Sequence, residues 1–240
     1  MKVIALLTGR GGNTLADKNV LPVLGKPLLA YPASAAKLSG VVDDFFVSSD
    51  CSKILDAANF EGYKKILRPK ELATPTAKHI DVIKHALSYL SSEQVFPDIL
   101  IVLMANSGTI KADWIAEAVN TLKKDETLSS VVPVFNDQDH HPYRAKRLDI
   151  DGKLQPFFDF KDMDVSTNRQ ELEPCFFLCH NFWVMNLKNS FYSEGGQKPW
   201  TFLGDNVKPI VVEESFDVHT LEDLNRTEKW LIQNKVAERT

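Results

Sequence analysis

The sequence predicts an α/β fold, a doubly wound and mainly parallel sheet with a small β-rich arm, on three features. Val3 to Leu7 is a short branched apolar run that passes straight into the glycine-rich loop Gly9-Arg10-Gly11-Gly12, the order in which open α/β sheets place a first strand and its ligand loop. Asp98 to Met104 (DILIVLM) is apolar almost throughout, as a strand buried on both faces must be. Amphipathic stretches of helical period lie between such runs, among them His79 to Leu90 and Lys111 to Lys123, the latter with Ile115, Val119 and Leu122 on one face.

At 240 residues and 44% hydrophobic, the chain suffices for one core spanning residues 1–240 with an inserted arm at about 137–175, and is too short for two full domains. A net charge of −4 argues against a general nucleic-acid binder, whose affinity comes from a basic face. No apolar run approaches the roughly 20 residues of a membrane span, and the opening MKVIALLTGRGG has too short an apolar core and no cleavage signal for a secretory peptide. A cytoplasmic protein with neither nucleic-acid nor membrane partners is therefore expected. Cys51, Cys175 and Cys179 have the spacing of neither a disulfide framework nor a zinc knuckle.

The loop after the first strand suits a triphosphate. Gly11 and Gly12 let backbone amides approach an anion, and Arg10 and Lys18 supply fixed positive charge. The same residues also fit a plain mobile turn. Neither standard phosphate motif is present: no Gly-Lys-Ser/Thr closes the loop, and Thr14 stands where the dinucleotide pattern has its third glycine.

Further along, Pro27 suits the first turn of a helix from Leu28 to about Leu38, with Pro32 kinking it or delaying its start. Asp43 to Ser48 reads as the second strand, and Asp50, just past it, is either a site residue on the ligand edge or the N-cap of a helix from Cys51 to Ala58. Arg68 to Ala77, with two prolines and two threonines, is a loop. Ser129 to Phe135, Phe176 to Met185 and Lys208 to Glu213 read as strands. Between Asp137 and Glu173 the alternation breaks into an extended run from Arg144 to Ile150, a turn at Asp151-Gly152 and the aromatics Phe157, Phe158 and Phe160. His140 and His141 are adjacent, so on a strand they point apart, and no partner at ligand spacing makes them a metal site. Thr220 and Asp223 form a capping-box-like start to a last helix reaching about Gln233.

Five segments, in order, resemble the cytidylyltransferases that make CMP-sugars, the CMP-acylneuraminate and CMP-Kdo synthetases. GRGGN followed by LADKNVLPVLGKPLLAY resembles their opening loop, with Arg10, Lys18 and Asn19 on its Arg, second Lys and Asn; the first Lys is missing, and Asn13 and Thr14 occupy that region. Arg68, Pro69, Leu72, Ala73 and Ala77 match the segment that holds the cytosine ring, while Pro75 replaces an Asp and His79 stands about where a base-contacting Ser is expected. Ala105-Asn106-Ser107 replaces a turn that in one branch carries a metal-binding acid. His141-Pro142-Tyr143 matches the entry to an arm that in those enzymes packs on a second subunit and closes its sugar site. The ending Phe216-Asp217-Val218-His219 matches a pair of metal-holding carboxylates in its first member, with His219 in place of the second.

The resemblance implies a Rossmann-like nucleotidyltransferase that transfers CMP from CTP to an acidic 3-deoxy-2-keto sugar and releases pyrophosphate. It implies Arg10, Lys18 and Asp217 in catalysis; Gly11, Gly12, Asn13, Asn19, Arg68, Ala77 and His79 at the nucleotide; and Asn106, Ser107, Tyr143 and Arg144 at the sugar. The metal would be Mg²⁺, with Mn²⁺ open, on Asp217 with or without His219, and the assembly a homodimer. Two other readings stay open: a nucleotidyltransferase using another triphosphate with a sugar 1-phosphate, or a nucleotide-binding homologue impaired in catalysis.

Overall fold

The computed structural model describes residues 1–161, 163–213 and 215–236; Asp162 of the expected arm, Glu214 and residues 237–240 lie outside that set. In chain order the strands are β1 (Val3–Thr8), β2 (Pro22–Val23), β3 (Lys26–Pro27), β4 (Asp44–Ser49), β5 (Lys64–Leu67), β6 (Ile99–Met104), β7 (Ser130–Asn136), β8 (Lys146–Leu148), β9 (Leu154–Pro156), β10 (Phe176–Leu178), β11 (Phe182–Asn186) and β12 (Val207–Val211). The α-helices are α1 (Ala30–Leu38), α2 (Ser52–Phe60), α3 (His79–Ser92), α4 (Ala112–Lys124) and α5 (Leu221–Gln233).

Eight strands form the main sheet in the order β10-β7-β11-β6-β1-β4-β5, with β12 along the other side of β7. The block β5-β4-β1-β6 is parallel, and β11 is inserted antiparallel between β6 and β7. Alternation along β1 explains the layering. Val3, Ala5 and Leu7 join Leu29, Ala33 of α1, Ile54 of α2 and Ile115 and Val119 of α4 on one face. Ile4 and Leu6 join Ile83 and Leu90 of α3 and Trp183 on the other. Each of the larger aliphatic side chains contributes roughly 1.5–3 kcal/mol by leaving water, so a one-residue slip of β1 would forfeit both layers at once. A third cluster seats α5, through Trp230 and Leu231, on Val23, Leu28, Tyr31 and Val218.

Besides the unexpected β2–β3 hairpin, which takes Pro27 out of the expected helix so that α1 begins at Ala30, three elements differ from the sequence reading. β5 was not expected, because its solvent-facing lysines (KKIL) hide an edge strand in which Ile66 alone is buried. The run Phe176 to Met185 is two strands. Leu178 faces Val134 while Val184 faces Val131, so six residues on one side run against three on the other, and the surplus bulges at Cys179-His180-Asn181. Buried Asn181 anchors the bulge by donating from Nδ2 to the Thr109 carbonyl at 3.1 Å, and His180 is left exposed. The extended run expected from Arg144 to Ile150 shortens to β8, paired antiparallel with β9.

Because β11 runs against its neighbours, its leading end lies on the same edge as the C-terminal ends of β1, β4, β5 and β6. That edge therefore gathers the segments after Thr8, Ser49, Leu67 and Met104, the His180 bulge, and the strand-free stretch 215–219 that follows β12.

Candidate active site

A cleft of about 580 Å³ opens on that edge, lined among others by Arg10, Asn13, Lys18, Asn19, Arg68, Ala77, His79, Asn106, Asp217 and His219. Its floor is the loop after β1. Gly9 is forced by close approach, since a Cβ there would meet Ala105 Cβ at 2.9 Å, and Gly12 by a φ of +60°. The Arg10 carbonyl is clamped by two side-chain amides, Asn13 Nδ2 at 2.7 Å and Asn19 Nδ2 at 3.1 Å. Asn13 and Asn19 thus shape the loop as well as line the cleft. Gly11 and Gly12 belong to the loop but do not line the cleft. The Gly11 amide is already engaged, donating to Asp50 Oδ1 at 2.9 Å. Asp50 is accordingly neither the cap of α2, which is Cys51, nor a lining residue; it holds the loop against the end of β4.

Lys18 opens a short 3-10 helix and is half-buried. Burial holds its ammonium below the usual pKa; Asp217 pulls the other way and Arg10 adds to the depression. Arg68 is more deeply placed, 5% exposed, with Nε on Ser48 Oγ at 3.2 Å and Nη2 on the Ser48 carbonyl at 2.6 Å. Burial lowers its pKa to about 10, so it stays cationic at neutral pH.

Asp217 is reached from the far end of the chain. Val218 is fully buried in the α5 cluster, and its neighbours on either side, Asp217 and His219, both line the cleft, as alternation in an extended segment requires. The turn after β6 braces this segment. The Val218 amide donates to the Asn106 carbonyl at 2.9 Å, Ser107 Oγ donates to the Phe216 carbonyl at 3.2 Å, and the Asn106 side chain hydrogen-bonds Asp217. Ser107 is fully buried and does not line the cleft, so it acts here as a strut. Thr220 Oγ1 accepts from the Asp223 amide at 3.2 Å while Asp223 Oδ2 accepts the Thr220 and His219 amides, completing the expected capping box.

Tyr143 and Arg144 do not line the cleft. Tyr143 packs edge-on against Phe158 and Phe160 in the excursion between β7 and β10, and Arg144 donates to the Asp139 carbonyl. His140 pairs with Asp137, and His141 Nδ1 accepts the Tyr143 amide. In the other direction, the cleft includes Thr8, Leu15, Thr74, His180 and Trp183, none of which sequence reasoning picked out. The legible signal was the polar pair His180-Asn181 interrupting an apolar run.

The model of the cytidylyltransferase family matches residues 5–155. The chain belongs to the cytidylyltransferase family. It is 27% identical over 243 residues to the CMP-N,N'-diacetyllegionaminic acid synthase of Legionella pneumophila, covering 99% of both chains. It is 33% identical over 220 residues to the N-acylneuraminate cytidylyltransferase of Escherichia coli O18:K1:H7, 90% of this chain but 50% of that longer protein. In fold it is similar to CMP-2-keto-3-deoxy-manno-octonic acid synthetase complexed with CTP, with a TM-score of 0.71 at 16% identity over 98% of this chain and 100% of that one. This cytidylyltransferase is thus a nucleotidyltransferase on a Rossmann-like α/β sheet. No helix among the described residues is long and apolar enough to cross a membrane.

Cytidylyltransferases of this family generally use a divalent metal, and Asp217 fits one. Its Oδ1 is buried without a hydrogen-bond partner among the described residues, and burial pushes its carboxyl above the ordinary range against the pull of His180, His219 and Lys18. An orphaned, desolvated carboxylate oxygen facing a cleft is what a hard cation satisfies. No group of three or more His, Cys, Asp or Glu among the described residues is placed to hold a metal, so most of the coordination would come from water and substrate oxygens.

His79 carries a pH signature. Burial, helped by the charges of Arg68 and His180, drops its pKa from the ordinary 6.5 to about 4. Between those values the unfolded chain binds the proton and the folded chain does not, so this residue's contribution to stability is present above 6.5 and lost as pH falls towards 4. His79→Phe should therefore melt with a shallower pH dependence than the native chain in that window. Parallel melting curves would show that the native ring titrates normally.

Proposed function

We propose that this cytidylyltransferase transfers CMP from CTP to a hydroxyl of an acidic 3-deoxy-2-keto sugar of the nonulosonate class and releases pyrophosphate. The observation that carries the reading is the convergence of Arg10 and Lys18, from the loop after β1, with Asp217, from the far end of the chain, on one cleft. The full-length likeness to a CMP-legionaminic acid synthase supports the choice of acceptor. The acceptor oxygen attacks the α-phosphorus as the bond to the bridging oxygen of the β-phosphate breaks. Such a transfer asks the protein for positioning and charge stabilisation. Arg10 and Lys18 take the triphosphate, and Lys18 meets the charge growing on the leaving pyrophosphate. Arg68, Ala77 and His79 hold the base, and Asn106 steadies Asp217 and offers hydrogen bonds to ribose or sugar. We take the cation to be Mg²⁺, which Asp217 would hold and which would supply charge neutralisation for the triphosphate.

The test is pyrophosphate release by the full chain with Mg²⁺, CTP and a nonulosonic acid. Release that needs both substrates is expected. Release only with a sugar 1-phosphate would move the protein to another acceptor class, and nucleotide binding without release under any acceptor would make it a non-catalytic homologue.

We further propose that the reaction takes place in the cytoplasm and in a homodimer of single-domain chains, each carrying an arm at about 137–175. Two features support the dimer. Ile150, Leu154 and Phe157 of the arm are exposed, an apolar surface that a second copy would cover. Tyr143 and Arg144 lie outside their own cleft, so a role at the sugar would be played across an interface. Sedimentation of the full chain should give a dimer; a monomer at tens of micromolar would remove this part of the proposal.

A further inference from the structure

We infer that Thr109, from the turn after β6, is a positioning residue for the cation site: it sets the register of the segment that carries Asp217, and thereby where that carboxylate stands in the cleft. The inference rests on the reading of Asp217 as the holder of the cation and goes beyond it. β12 ends at Val211 and α5 begins at Leu221, and Asp217 lies between them on backbone that no strand ladder or helix fixes. The polar groups of such a stretch must be met in another way, and the turn 106–109 meets them. Thr109 Oγ1 accepts the Phe216 amide at 3.1 Å, Ser107 Oγ donates to the Phe216 carbonyl at 3.2 Å, and the Asn106 carbonyl accepts the Val218 amide at 2.9 Å. One turn thus holds the residues on both sides of Asp217. Thr109 is fully buried. Its own proton has Ser215 Oγ at 3.2 Å and the Phe216 carbonyl at 3.3 Å in reach. The Phe216 amide needs only a lone pair on the hydroxyl oxygen, so the role of Thr109 is the same whichever neighbour takes that proton.

The turn is itself immobilised from two directions. The Thr109 carbonyl accepts from Asn181 Nδ2 in the bulge before β11 at 3.1 Å. Gly108 is seated against α5 so closely that a Cβ would meet Thr227 Cγ2 at 2.8 Å and Leu28 Cδ1 at 3.1 Å. Thr109 therefore transmits the placement of β6, the bulge and α5 to the backbone just ahead of Asp217. Phe216 and Val218 pack into the α5 cluster, which turns Asp217 to the cleft. Its Oδ1 has no hydrogen-bond partner among the described residues, so the position of that oxygen is set by the backbone beneath it. A Phe216 amide without Thr109 would lose its acceptor, and the peptide that precedes Asp217 would be free to rotate towards water. Hard cations such as Mg²⁺ tolerate little displacement of a ligand oxygen, so a loosened segment would bind the ion more weakly even with Asp217 intact.

The experiment takes two readings on the full chain, for the native protein, Thr109→Val, Thr109→Ser and Asp217→Asn. The first is amide hydrogen exchange by nuclear magnetic resonance without metal or nucleotide. Thr109→Val, which keeps nearly the same shape and loses the lone pair, should exchange the Phe216 and Val218 amides about tenfold or more faster, beyond any change at β1, while Thr109→Ser keeps native protection. The second is Mn²⁺ binding in the presence of CTP, followed by electron paramagnetic resonance well below the melting midpoint of each variant. It should weaken about tenfold or more in Thr109→Val and stay within about twofold of native in Thr109→Ser. A valine variant with native exchange at Phe216 or native Mn²⁺ affinity would overturn the inference, as would a serine variant as impaired as the valine one. If Asp217→Asn binds Mn²⁺ as the native chain does, the reading of Asp217 has failed and the inference falls with it. If Thr109→Val does not fold, the native chain decides: a Phe216 amide protected like those of β6 supports the assignment, and one that exchanges as fast as those of the exposed turn at Asp151-Gly152 sinks it.

Discussion

Lys18→Ala is expected to lower turnover at saturating CTP by about 100-fold or more while moving the thermal midpoint by no more than a few degrees. The asymmetry follows from what the side chain touches. Lys18 makes no side-chain hydrogen bond and no ion pair among the described residues, and its cation is held below its usual pKa mainly by burial. Removing a desolvated charge that has no structural partner costs the fold little. The backbone bonds that shape the loop, from the Lys18 amide to the Leu15 carbonyl and from the Leu21 amide to the Lys18 carbonyl, survive in alanine. In the proposed reaction the same ammonium is aimed at charge that grows as pyrophosphate leaves, in a cleft where the like charge of Arg10 also acts on it. Turnover and melting temperature measured side by side on the variant decide the matter: near-native turnover would remove Lys18 from the catalytic set, and a collapse in stability matching the loss of activity would make it a structural residue.

The parts of this site that could be read from the sequence are those set by local patterning. The glycine loop follows β1 directly, the apolar strands β1 and β6 identify themselves by length and branching, and the capping box of α5 is a three-residue spacing. Arg10 and Lys18 could be proposed because they flank a glycine-rich loop after a buried strand, whereas Arg68 and Asp217 rested on the family resemblance alone. What was not legible depends on register. His180 reaches the cleft because β10 and β11 together carry three surplus residues against β7; the polar pair His180-Asn181 marks the interruption, but the run does not reveal how far its ladder will slip. Gly11 was expected to offer its amide to a ligand, yet Asp50, remote in sequence, takes it. The family resemblance implied a sugar contact for Ser107, but its long-range hydrogen bond to the Phe216 carbonyl makes it a brace for Asp217. Edge strand β5 escaped for a different reason: a strand with one buried residue has no alternation to detect.

Asp217→Asn is expected to separate activity from stability in opposite directions. In the fold without nucleotide, the Asp217 carboxyl sits above its ordinary pKa because burial outweighs the favourable pull of His180, His219 and Lys18. For an acid raised in this way the folded chain binds the proton more readily than the unfolded chain, so stability falls as pH rises through that window and the native state carries the cost above it. At neutral pH and without nucleotide or metal, the neutral asparagine should therefore leave the melting temperature unchanged or raise it. Turnover with Mg²⁺ should fall by about 100-fold or more, because an amide offers a hard cation neither charge nor a second strong oxygen ligand. Binding of Mn²⁺ in the presence of CTP, followed by electron paramagnetic resonance, should weaken in parallel and gives a readout independent of turnover. His219 supplies the control. It shares the cleft-facing side of the segment with Asp217 but brings an imidazole, which suits Mn²⁺ better than Mg²⁺. If it turns away from the cation, as the preference of Mg²⁺ for oxygen suggests, His219→Asp should be at least as active as the native chain in Mg²⁺. An Asp217→Asn enzyme with native turnover and native Mn²⁺ affinity would mean that the cation is held elsewhere on the sheet edge, with Asp50, beside the phosphate loop, the next carboxylate to test.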